Sequence, residues 1–121
     1  MTHHLSGITI DCADPDRLAT FWSALLDIPL TDEHGDDPGW ATVGSRSDSH
    51  PRLTFQRVQE PKGGKVRLHL DIETDDVEAA MTQVEQLGGS RTGQRNDYDE
   101  GIVVVMQDPE GTEFCLVEYF D

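Results

Sequence analysis

Ile8-Thr9-Ile10-Asp11-Cys12-Ala13-Asp14-Pro15-Asp16-Arg17-Leu18-Ala19-Thr20-Phe21-Trp22 is the stretch that decides the fold class. Its first five residues alternate apolar and polar, the period of a half-buried strand. Asp14 then offers a carboxylate to the free N–H groups of a helix's first turn, and Pro15 at the first helical position gives up no needed donor. Leu18, Phe21, Trp22 and Leu25 fall on one apolar stripe, and Pro29 is the expected stop. Thr31 to Gly39 reads as a loop or weak hairpin. Trp40-Ala41-Thr42-Val43 and Leu53 to Val58 read as strands, and Pro61-Lys62-Gly63-Gly64 as a break.

The same order then returns. Val66, Leu68, Leu70 and Ile72 alternate with Arg67, His69, Asp71 and Glu73, predicting a strand over 66–73. Asp75 is the expected cap of a second helix, with Glu78 in the capping-box position. Val77, Met81 and Val84 give that helix its stripe, and Gly88-Gly89 its end. Ile102 to Met106 and Glu113 to Tyr119 read as a hairpin around Asp108-Pro109-Glu110-Gly111, which is turn chemistry. The helices align at an offset of 62 residues, Gly7 on His69 and Asp14 on Asp76; the closing strands align at 59, Gln56 on Cys115. The expected fold is α+β: two tandem βαβββ modules, about 5–58 and 66–120 with a linker at 59–65, within a single domain of 121 residues. One such module cannot cover both faces of its own curved sheet, whereas two side by side form a cup with helices outside.

The chain carries 9 Lys plus Arg against 24 Asp plus Glu, a net charge of −15. Polyanions such as nucleic acid and anionic membranes are repelled by such a chain, so neither is an expected partner. Cys12 and Cys115 fit no CxxC pattern, no secretory signal pattern opens the sequence, and the longest wholly apolar run, Ile102 to Met106, is far too short to span a membrane. A cytoplasmic protein with reduced thiols is the expectation.

Ala13 to Trp22, Lys65-Val66-Arg67-Leu68-His69-Leu70-Asp71 and Asp108-Pro109-Glu110-Gly111-Thr112-Glu113-Phe114-Cys115, in tandem order, resemble the vicinal oxygen chelate superfamily of glyoxalases, bleomycin-resistance proteins and extradiol dioxygenases. The narrower likeness is to its small glyoxalase-like proteins. In metal-dependent members, four side chains, usually His or Glu, come from the first and last strand of each module and hold a divalent ion. Carried over, those positions are Gly7, Gln56, His69 and Cys115. Only His69 matches, since Gly7 has no side chain, Gln56 is a weak neutral ligand and Cys115 favours softer metals. No metal cofactor is therefore expected.

The candidate ligand-binding set is Thr9, Trp40, Gln56, Arg67, His69, Asp71 and Cys115. His69, on the strand face of Arg67 and Asp71, is either a general base, a donor to a ligand, or a space-filling core histidine. Cys115 is either a nucleophile with His69 as its base or a small buried packing residue. Trp40 either lines the cup mouth or belongs to the core. Asp32-Glu33-His34-Gly35-Asp36-Asp37 is a solvated loop or an acidic lip for a cationic ligand, and His3, His4, His34 and His50 lack metal-ligand spacing. The resemblance implies a small organic ligand bound in the cup without a catalytic metal, and a homodimer. The alternatives are a metal-dependent glyoxalase-type lyase or dioxygenase, and a metal-free enzyme with His69 as base.

Overall fold

A computed structural model describes residues 5–33, 37–60, 63–64 and 68–120, and the chain divides into two compact units, 1–61 and 62–121. The first unit runs β1 (Gly7–Cys12), α1 (Pro15–Leu26), β2 (Leu30–Thr31), β3 (Trp40–Val43) and β4 (Arg52–Arg57). The second runs β5 (Asp71–Glu73), α2 (Val77–Gln86), β6 (Ser90–Tyr98), β7 (Gly101–Gln107) and β8 (Glu113–Tyr119). Each unit is one mixed four-stranded sheet with a single helix, in orders β1-β4-β3-β2 and β5-β8-β7-β6. The first strand of each pairs parallel to the last, and all other pairs are antiparallel. Two βαβββ modules, as expected, make an α+β chain.

Asp14 caps α1 by accepting from the Arg17 N–H at 3.2 Å. That helix stops at Leu26, before Pro29, because Asp27 turns left-handed at φ 55° and the Ile28 N–H returns to the Ser23 carbonyl. Leu18, Phe21 and Trp22 are buried on the side of β3 and β4, with the Phe21 and Trp22 rings edge-to-face at 5.2 Å. In the second unit the cap is Asp76, which accepts from the Ala79 N–H at 3.1 Å, and not Asp75. Thr74, just past β5, is still bonded to Val117, and its hydroxyl accepts from the Asp76 N–H, so the helix is capped one residue later than expected. Glu78 then sits too early for a capping box and pairs with Arg95 at 2.9 Å instead. The orphan Val77 N–H is taken by the Glu118 carboxylate of β8 at 2.8 Å, which ties the helix start to the sheet. Gly88, at φ 101°, ends α2 where a side chain would be strained.

Two strands depart from the expectation. β5 is three residues long, not the eight of 66–73, although the Leu70 carbonyl still accepts from the Cys115 N–H; residues 65–67 lie outside those described. β6 was not foreseen. It has almost no apolar residues, and salt bridges pin it over α2: Arg91 to Glu85 at 3.1 Å and Arg95 to Glu78. No described helix is long and apolar enough to cross a membrane.

Candidate functional site

In the first unit, Ile10 stands opposite Phe55, and Val43 opposite Leu53, on the face that α1 covers. Strand alternation puts the intervening residues on the other face. Pairing arranges them in rows: Thr31, Thr42, Thr54 and Thr9 in one, Trp40, Gln56 and Asp11 beside it, and Arg52 with Gly7 on the other side. Thr9, Trp40 and Gln56 of the candidate set thus share the helix-free face of one sheet. Arg52 donates to Glu33 at 2.8 Å, and Glu33 also accepts from the Ser45 hydroxyl at 2.6 Å and the Arg46 N–H at 3.3 Å. The Ser45 bond first, and Arg52 next, hold the Glu33 carboxyl down to about 2, so the ion pair persists at any working pH.

In the second unit Glu118, Arg91 and Arg95 reach α2, which fixes the helix side of the sheet. The opposite face carries Asp71 beside Cys115, then Glu73, Val117 and Val103, and then Tyr119, Gly101 and Tyr98. Here lies a depression of about 260 Å³, lined by Gly101, Ile102, Val103 and Val117, the aromatic Tyr98 and Tyr119, and the acidic Asp71 and Glu100. Both tyrosines are half exposed, and no cation is among the described lining residues. Asp71 is the only one of these that sequence reasoning singled out. The missed signal was parity: odd-numbered residues of Gly101–Gln107 and Glu113–Tyr119 share the face of Cys115.

Cys115 is buried and opposite Asp71. Burial first, and then the Asp71 charge and hydrogen bond, push its thiol up, so the thiolate that a nucleophile needs is disfavoured. His69 is exposed and precedes β5 rather than sitting within a strand, so strand alternation does not align it with Asp71. Arg67, His3, His4 and His34 lie outside the described residues.

The two registers correct one alignment. Gly7 pairs with Arg52, 45 residues on, but Asp71 pairs with Cys115, 44 on. If β1 and β5 keep the 62-residue offset of the caps Asp14 and Asp76, the closing strands are offset by 61, not 59. The counterpart of Cys115 is then Thr54, and that of Gln56 is Val117. Local residue likeness could not show this, because the two closing strands share little but their alternation.

The family profile of a glyoxalase-like domain matches residues 7–117, from the first strand of one unit to the last strand of the other. The chain belongs to the glyoxalase-like domain family. Among solved structures it is similar to a glyoxalase/bleomycin resistance protein/dioxygenase family enzyme from Burkholderia phytofirmans, with TM-score 0.78, 14% identity, and 98% of this chain and 100% of that one covered. A superfamily member from Sphaerobacter thermophilus gives TM-score 0.70 at 18% identity, covering 97% and 98%. TioX from a Micromonospora species gives 0.67 at 14%, covering 98% and 100%. At such identities the likeness is one of fold. No functionally curated protein matches the chain in sequence.

The divalent metal of metal-dependent glyoxalase-like relatives does not fit the donors present at the carried-over positions. Gly7 offers none, and the Arg52 Nε lies 4.0 Å from where a Cβ on Gly7 would stand, so a guanidinium borders that space. Gln56 is neutral, the Cys115 thiol is held protonated, and their register counterparts Val117 and Thr54 supply no stronger donor. Among the described residues no three His, Cys, Asp or Glu side chains come together as a ligand set.

Proposed function

We propose that this glyoxalase-like domain binds a small organic molecule on the helix-free face of its sheets, without a catalytic metal, and prefers cationic or neutral ligands to anions. The depression lined by Tyr98 and Tyr119 carries this reading: its apolar, aromatic and acidic lining residues suit an apolar body with a positive head. The net charge of −15 favours encounter with cations. Matched titrations with benzyltrimethylammonium, benzyl alcohol and benzoate test it. The cation should bind about fivefold or more tightly than benzoate, and salt should narrow the gap by screening the exposed carboxylates. Tyr119→Ala should weaken the cation about two- to fivefold. Tighter binding of benzoate would reverse the reading.

A homodimer belongs to the same proposal, since each sheet taken alone has edge strands whose backbone groups a second copy can shield. Light scattering across a concentration series should give twice 13.5 kDa, and a mass near 13.5 kDa throughout would refute it.

A further inference from the structure

On the helix-free face of the first unit, the Arg52 Nε and the Thr42 hydroxyl are buried and have no hydrogen-bond partner among the described residues. Thr42 is only 2% exposed. Buried polar groups are almost always satisfied, and an unmet one costs about 1–3 kcal/mol, so two on one sheet face call for an absent partner. They are close in the pairing: Thr42 stands opposite Thr54, which is two residues beyond Arg52 on the same strand face. Arg52 spends its Nη1 on Glu33 and keeps its Nε over Gly7, where the missing side chain leaves room. The Arg52 side chain is 23% exposed.

We propose that the Arg52 Nε–H and the Thr42 hydroxyl together bind a carbonyl oxygen of a neutral ligand, the guanidinium bordering the position where metal-dependent relatives place a metal ligand. This rests on the reading that the helix-free face receives a small molecule. Two donors on one sheet face, one row apart, suit an oxygen with two lone pairs. Neutrality follows from charge: Glu33 stays ionised and cancels the Arg52 charge, and the rest of the chain is strongly negative. A carboxylate would meet Glu33 across the guanidinium; an amide or ketone oxygen would not.

Benzamide and benzoate are a matched neutral and anionic pair for the test. Proton–nitrogen correlation spectra of the full chain report the Arg52 Nε–H, assigned by its loss in Arg52→Lys, which keeps the charge beside Glu33. Benzamide should shift that resonance saturably, and Thr42→Val should weaken the effect about fivefold, the loss of one hydrogen bond. Thr42→Val should also melt higher than the parent without any probe, because an unmet buried hydroxyl is gone. An unmoved resonance would overturn the site, as would unchanged affinity or a lower melting point in Thr42→Val. A stronger response to benzoate would overturn the neutral class. None of these outcomes depends on the cation titration, which reads the second unit.

Discussion

Phe55→Ala is expected to remove about 3–5 kcal/mol of stability, the usual cost of emptying a large aromatic site in a packed core. Phe55 is wholly buried in the central part of β4, opposite Ile10 on one side and Ala41 on the other. Its neighbours on the helix side include Leu53, Val43 and the α1 residues Leu18, Phe21 and Trp22, all buried. These belong to a helix-on-sheet framework that cannot collapse freely into the space. Urea unfolding of parent and variant measures the loss as a lower midpoint at similar slope. A loss under about 1 kcal/mol would mean that β4 does not pack against α1 in this register.

Cys115→Glu is the second large effect, and it bears on the family's chemistry. An acid at this position is what a metal-binding relative would carry, but here it would face Asp71 across the β5–β8 pairing in a site only 8% exposed. Burial and the Asp71 charge already raise the Cys115 thiol, and both would raise an introduced carboxyl. At neutral pH the variant is expected to lose about 3 kcal/mol or more, the cost of a buried, unpaired charge. The sign of the pH dependence follows. With its folded pKa above the unfolded value of about 4.3, the carboxyl binds more protons folded than unfolded, so stability falls as pH rises through that window. Melting midpoints of parent and variant should therefore lie closer together near pH 4 and separate as pH rises to 8. A gap independent of pH would show that the side chain escapes to water.

The fold was legible in the sequence because its signals are local and doubled. Asp14-Pro15 and the stripe Leu18, Phe21, Trp22 specify strand then helix, and the same order returns with Asp76. What stayed hidden depended on partners distant in sequence. β6 carries no apolar alternation because its inward arginines bond Glu78 and Glu85 of α2, so its strand character appears only beside that helix. Asp75 and Asp76 are equivalent by composition, and the Thr74 bond to Val117 selects between them. Within the candidate site, the strand pairing puts Thr9, Trp40 and Gln56 on one sheet face, which alternation within single strands cannot show. The alternation over 66–73 places His69 in a strand, whereas β5 begins two residues later. Tyr98, Glu100 and Tyr119 went unnoticed because they meet only when β6, β7 and β8 pair around Gly101.

The central claim is ligand binding that needs no metal, and one titration tests it most directly. Benzyltrimethylammonium is titrated into the purified full chain before and after EDTA treatment. The account predicts saturable binding with the same Kd, within a factor of about two, in both samples. Binding that disappears on chelation and returns with Zn²⁺ or Ni²⁺ would contradict it, because affinity would then depend on an ion that Gly7, Gln56 and Cys115 are not equipped to hold.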